Sequence, residues 1–177
     1  MRVIAGSLKG RRLASLPPGD QIRPTSDRAR EALFSILEAW PRGSFLDLFS
    51  GTGAVALEAL SRGYGPVCCV EKEPGALGVL RRNAAGTALE IREADALALP
   101  GTAYRDLAFI FGDPPYAEAG PALEALAPRI RGWLAPGGLL VWESPSREEL
   151  EAPEGFERLD RRRYGAAAFD FLRPFPF

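Results

Sequence analysis

Apolar and polar positions along this chain fall into two regimes. Residues 2–16 read as two extended stretches, VIAG and RRLASL, either side of a polar turn near 7–10, and they stop at Pro17 and Pro18. After a loop to Pro24, Thr25 or Ser26 can cap a helix with Asp27 in its first turn. Leu33, Ile36, Leu37 and Trp40 recur at helical spacing and give that helix one apolar face, until Pro41 and Gly43 end it.

From Ser44 the pattern alternates between strand and helix. SFLDLF is a short buried strand, SGTG a turn, and AVALEALSRG a helix with Gly63 as its C-cap. VCCVE is a second strand, and PGALGVLRRNAAG a helix opened by Pro74. LEIREAD is a third strand, and LAFIFGD a fourth whose apolar run suits a central parallel position. A helix spans 119–132, with a disturbance expected at Pro128. After the turn APGG, GLLVWES is a fifth strand, and the tail FERLDRRR–YG–AAAFDFL reads as a hairpin. Alternating units of this kind predict an α/β fold with an open, doubly wound parallel sheet and an antiparallel edge hairpin. Ligands in such sheets bind beyond the carboxyl ends of the strands. Asp47 to Gly53, Glu71, Asp95 and the DPPY stretch at 113–116 all fall there.

Length and composition narrow the reading. A chain of 177 residues, 46% hydrophobic and 25% charged, is expected to form a single domain over 1–177. No apolar run approaches the roughly 18 residues of a membrane span, and the first residues hold no long apolar segment, so a cytoplasmic protein is expected. There is no histidine, which removes histidine acid–base catalysis. The only cysteines, Cys68 and Cys69, are adjacent and read as buried strand residues, so no metal site is expected. Net charge is −1, but residues 1–30 carry +5 and the remainder −6. A basic arm on an acidic body suggests an anionic partner met at one end.

Candidate chemistry begins in LDLFSGTGAVALEAL. Gly51 and Gly53 let backbone approach a ligand, and the following helix offers a positive N-terminus. Glu71 lies 18 residues beyond Gly53 at a strand end, where a carboxylate can accept both hydroxyls of a ribose. The spacing also satisfies a loose dinucleotide fingerprint, so the turn alone leaves the nucleoside cofactor open. Asp47 argues against a pyrophosphate, which it would repel, and for a cationic group such as the sulfonium and ammonium of S-adenosylmethionine. Asp95, followed by Ala96, can accept from an adenine amine.

In FGDPPY, Pro114 forces Asp113 out of the helical region, and both prolines fix φ and lack an N–H. The loop is therefore stiff. The Asp113 carboxylate and the Pro114 carbonyl are two acceptors suited to the two hydrogens of an exocyclic amine, and Tyr116 offers a flat face for a base. Holding both hydrogens favours a more pyramidal nitrogen with its lone pair aimed at a methyl group. Such a displacement needs alignment rather than a histidine or a metal.

The stretches RVIAGSLKGRRL, RPTSDRAREALF, LDLFSGTGAVALEALSRG, VE at 70–71, DPPY at 113–116 and VWE at 141–143 resemble the RsmD family of bacterial methyltransferases, in order and over nearly the full length. DPPY is shared by many amino-group methyltransferases, whereas the two N-terminal stretches are far more specific. The resemblance implies a Rossmann-like, class I S-adenosylmethionine-dependent methyltransferase fold with a seven-stranded, mostly parallel sheet and an added N-terminal hairpin and helix. Residues 1–42 would be that extension and 43–177 the catalytic core. It implies methylation of the N2 amine of a guanine in small-subunit (16S) ribosomal RNA, free or in the assembling 30S particle. Cofactor contacts would be Asp47, Phe49, Gly51, Gly53, Glu71, Lys72, Asp95 and Ala96, and the catalytic residues Asp113, Pro114, Pro115 and Tyr116. Gly112 stands where a bulky apolar residue is more usual and would leave local space.

Lys9, Arg11, Arg12, Arg23, Thr25 and Arg28 are the RNA-binding candidates, though Arg23, Thr25 and Arg28 could equally meet cofactor or cap and solvate the helix. Arg161, Arg162 and Arg163 read as a solvated strand face, Glu143 as a strand end, and the aromatic tail from Phe169 to Phe177 as core and edge cover. Rival readings keep the chemistry on a DNA adenine N6 or a protein glutamine amide, or make the chain a nicotinamide-dependent oxidoreductase or a non-catalytic RNA-binding module. The oxidoreductase leaves Asp47 and DPPY unexplained.

Overall fold

The computed structural model describes residues 1–19 and 25–176. In chain order these form α1 (Asp27–Leu37), β1 (Phe45–Leu48), α2 (Ala54–Ser61), β2 (Val67–Glu71), α3 (Pro74–Ala84), β3 (Glu90–Glu93), β4 (Leu107–Gly112), α4 (Ala119–Trp133), β5 (Leu134–Pro145), β6 (Phe156–Tyr164) and β7 (Ala167–Pro174). Strand order is β3-β2-β1-β4-β5-β7-β6, a seven-stranded sheet in which the β1–β2, β2–β3 and β4–β5 pairs are parallel and β7 pairs antiparallel with both β5 and β6. The chain divides into two compact units, Met1–Ala96 and Leu97–Phe177.

In the first unit β1 pairs with β2 and β2 with β3, all parallel. All four residues of β1 are buried, including Asp47. Ser26 caps α1 by accepting from the Ala29 N–H, and Ala29, Leu33, Phe34 and Leu37 fill its buried face. Phe34 takes the inner position that the sequence pattern assigned to Trp40, which lies beyond the helix end and is only half buried. Phe34, Phe45 and Tyr64 form an aromatic cluster with centroids 5.7–6.0 Å apart. Cys69 is buried, but Cys68 is only partly so.

The N-terminal arm forms a single antiparallel bridge, Arg2 to Arg12, rather than two extended stretches. The reason lies in α2. The Glu58 carboxylate, fully buried, accepts from the backbone N–H groups of Ile4 (2.9 Å) and Ala5 (3.0 Å), so these donors are unavailable to a partner strand. Ser61 adds to the dock by accepting from the Leu8 N–H and donating to the Ala5 carbonyl. Buried Arg30 balances Glu58 at 3.4 Å and donates to the Arg2 carbonyl.

In the second unit β4 runs parallel to β5, with β7 and then β6 added antiparallel. The APGG segment, expected as a turn before the strand, is an excursion inside β5: register passes from Leu107–Leu134 to Phe109–Leu139. α4 runs through Pro128 without ending. Glu124, whose carbonyl loses its usual partner, and Pro128 are both exposed, so water can serve that carbonyl. Phe169 and Phe171 are buried core, whereas Phe175 is exposed, and Phe177 lies outside the described residues.

Candidate active site

The turn after β1 is built from backbone that ordinary residues avoid. Phe49, Gly51 and Gly53 all have positive φ, at 61°, 56° and 83°. For Phe49 this costs roughly 1–3 kcal/mol, which the surroundings must offset. A Cβ on Gly53 would overlap Leu80 of α3, so that position needs glycine twice over. Ser50 ties the turn back, with its hydroxyl donating to the Asp47 carbonyl (2.7 Å) and its N–H to Val70 (2.9 Å).

Glu71 organises the turn from the end of β2. One carboxylate oxygen accepts from the Gly51 N–H at 2.7 Å, and the other from Lys72 (2.8 Å) and Glu73 (2.9 Å). The Lys72 ammonium in turn meets Asp95 at 3.4 Å, with both groups exposed enough to be solvated. Ala96 is buried at the start of a short 3₁₀ turn. Gly51, Glu71, Lys72 and Asp95 are thus one connected cluster, Asp47 is tied to the turn through its carbonyl and Ser50, and Phe49 and Gly53 shape that turn. Burial pushes the Cys69 thiol up, and the negative Asp47 beside it pushes it further. The donor set fits a nucleoside with a cationic tail: a carboxylate oriented at a strand end, glycine backbone in close approach, and a buried aspartate.

A contact that the sequence did not reveal joins this turn to the arm. The buried Asn83 side chain accepts from the Ala14 N–H (2.8 Å) and donates to the carbonyls of Ala14 (3.0 Å) and Thr52 (2.9 Å). The only hint available was compositional, since Asn83 is the sole asparagine of the chain.

DPPY belongs to the second unit and leaves the end of β4. Asp113 and Tyr116 are half buried, Pro114 is buried and Pro115 is exposed. A single 3₁₀ turn begins at Tyr116, and the Glu118 N–H donates to the Pro115 carbonyl at 2.8 Å, a bond that leaves the Pro114 carbonyl out of the turn. The space expected at Gly112 is taken. Its register partner Trp142 lays its indole where a Cβ would sit, and the Trp142 Nε1 donates to the Ala119 carbonyl at 3.0 Å. The loop is therefore held at both ends, by β4 and by the start of α4. Glu143, expected to end its strand, is instead buried within β5.

The RNA-binding candidates separate by exposure. Lys9, Arg12 and Arg28 are exposed. Arg11 is half buried and donates to the carbonyls of Asn83 (2.8 Å) and Ala85 (2.6 Å) at the end of α3. Thr25 is buried, and Arg23 lies outside the described residues. Arg161 does not sit on a solvated face as expected: it pairs with buried Asp170 and donates to the Pro145 and Glu148 carbonyls, while Arg162 and Arg163 are exposed. No helix among the described residues is long and apolar enough to cross a membrane.

A family model described as conserved hypothetical protein 95 matches residues 1–173. The chain is 37% identical to the protein YlbH of Bacillus subtilis over 87% of its length and 86% of that protein. It is 34% identical to ribosomal RNA small subunit methyltransferase D of Escherichia coli, over 81% of this chain and 74% of that one. Among solved structures, a hypothetical protein from Thermus thermophilus superposes with a TM-score of 0.82 at 32% identity, covering 97% of this chain and 98% of that one. With the strand order, the glycine turn and DPPY in place over this span, the chain is a member of the RsmD family of methyltransferases.

Proposed function

We propose that the protein transfers a methyl group from S-adenosylmethionine to the exocyclic N2 amine of a guanine in small-subunit (16S) ribosomal RNA. The observation that carries this reading is the stiff DPPY loop, held at both ends by Trp142 and by the Pro115 turn. The names of the relatives, ribosomal RNA small subunit methyltransferase D in Haemophilus influenzae and Escherichia coli, support the substrate class. Such a substrate sets the site of action in the cytoplasm.

S-adenosylmethionine supplies an activated methyl group on a sulfonium. Glu71 has about one lone-pair position left over from its three backbone bonds and would accept one ribose hydroxyl with it, Gly51 and Gly53 would leave room for the cofactor, and Phe49 and Lys72 would flank it. Asp47 favours a cationic amino-acid tail. Asp95 and Ala96 face the adenine. In the second unit, the Asp113 carboxylate and the Pro114 carbonyl accept the two amine hydrogens of the guanine, and Tyr116 stacks on the base. These contacts localise the nitrogen lone pair that an aryl amine otherwise delocalises. Alignment of this kind can lower the barrier by on the order of 7–11 kcal/mol. Pro115 keeps the loop from relaxing.

The test is incubation with labelled S-adenosylmethionine and unmodified small-subunit RNA or particles, followed by digestion to nucleosides. Label in N2-methylguanosine is the expected result. No label in RNA, with label in DNA adenine or protein glutamine in parallel incubations with DNA and with protein, would transfer the same chemistry to another acceptor.

A further inference from the structure

We infer that a groove between the N-terminal arm and α1 is a binding site for the phosphodiester backbone of the RNA substrate, with Arg2, Lys9 and Arg28 as its phosphate ligands. The inference rests on the RNA reading above and assigns where that RNA is gripped. The groove has a volume of about 450 Å³ and is lined by Arg2, Val3, Ile4, Lys9, Gly10, Asp27, Arg28 and Glu31. None of these residues belongs to the cofactor turn.

Its charge is better judged by pairing than by counting. The two carboxylates at its edge are engaged: Asp27 meets buried Arg30 at 3.0 Å, and Glu31 meets Arg62 at 3.1 Å. Arg30 and Arg62 are themselves almost fully buried and also serve the buried Glu58 carboxylate, so they neutralise the two edge acids only in part. Arg2, Lys9 and Arg28 are exposed, and none of them is in an ion pair among the described residues. The groove therefore carries a net positive charge, set by Arg2, Lys9 and Arg28, beside half-buried Ile4. Three exposed cations along one groove suit successive phosphates of a strand better than a single small anion.

Geometry also explains why the arm can act as a rigid reader. Glu58 and Ser61 hold residues 4–8 against α2, and Asn83 holds Ala14 to Thr52 in the cofactor turn. A strand gripped in the groove is thereby fixed relative to the turn of the same unit. Arg11 lies outside this set because its guanidinium serves the α3 carbonyls.

The experiment is filter binding of an unmodified 16S transcript over a salt series, with cofactor titration alongside. Wild type is compared with the double variant Arg2→Ala/Arg28→Ala and with Arg162→Ala/Arg163→Ala, which removes two exposed cations from β6. Each lost phosphate contact lowers the slope of log K against log salt by about 0.7, so the groove variant should lose about 1.4 and bind roughly tenfold or more weakly. Cofactor affinity should hold in both variants, and the β6 variant should keep the wild-type slope. A groove variant with an unchanged slope, or a β6 variant that loses as much, overturns the groove as the site while leaving RNA binding intact. A wild type that does not bind the transcript at any salt overturns the RNA reading itself.

Discussion

Glu71 accepts hydrogen bonds from three backbone N–H groups, those of Gly51, Lys72 and Glu73, so its removal takes away both a ribose acceptor and the anchor of the glycine turn. Glu71→Ala is expected to weaken S-adenosylmethionine binding by about 1.5–3 kcal/mol, the range for hydrogen bonds to a charged group. Calorimetric titration measures this, and unchanged affinity would remove Glu71 from the site. Asp113 makes a different demand. Asp113→Ala should abolish methyl transfer with cofactor binding intact, whereas Asp113→Asn keeps one acceptor and should retain part of the single-turnover rate. Equal activity of the two variants would show that the carboxylate does not clamp the amine. Cys69 is buried where its neighbour Cys68 is only partly so. Its thiol is raised first by burial and then by the charge of Asp47, which suppresses the reactive thiolate. A thiol reagent at pH 8 should modify only Cys68 in the folded protein and both cysteines after denaturation. Glycines, acids and prolines at strand ends declare such residues in the sequence because their type is the message. Trp142 gave no such sign, since its role depends on meeting Gly112 across a strand pair.

Between elements, the period of the apolar residues located every helix and strand of the two units, and long-range polar contacts supplied what it missed. In the sequence Arg161 reads as part of a solvated strand face, but its register partner in β7 is Asp170, a buried carboxylate that burial pushes up and Arg161 and Arg158 pull back. The arm's sequence has the pattern of two extended stretches, and nothing local announces that Glu58 captures two of its N–H groups. Asn83 is the clearest case, joining the arm, α3 and the cofactor turn with one amide. Asn83→Ala leaves three backbone groups without that partner and should destabilise the protein by on the order of 1–3 kcal/mol. Cofactor affinity should fall with it. Asn83→Asp should be worse, because its oxygens would face the Ala14 and Thr52 carbonyls that the amide now serves as a donor. Thermal melts and cofactor titrations of both variants test this. Wild-type cofactor affinity in Asn83→Ala would mean that Glu71 alone shapes the turn.

For the molecule as a whole, the sequence predicts one domain, and the chain resolves into two compact units. The second, Leu97–Phe177, has four strands and a single long helix, α4. A unit of that size buries a modest share of its surface and is marginal on its own. The two units are therefore expected to unfold together in one calorimetric transition. Cofactor binding makes the expectation sharper, because the candidate contacts all lie in residues 47–96. A ligand at 100 times its dissociation constant stabilises the state that binds it by about 2.7 kcal/mol. For a chain this long that corresponds to roughly 2–4 °C per kcal/mol, or about 5–10 °C in all. With one cooperative unit, S-adenosylhomocysteine should move the whole transition upward by that amount. If the units unfold separately, the ligand should instead split the trace, raising the part contributed by Met1–Ala96 and leaving the other where it was. Scanning calorimetry with and without the ligand distinguishes the two, and a split trace would make the first unit a cofactor-binding module in its own right.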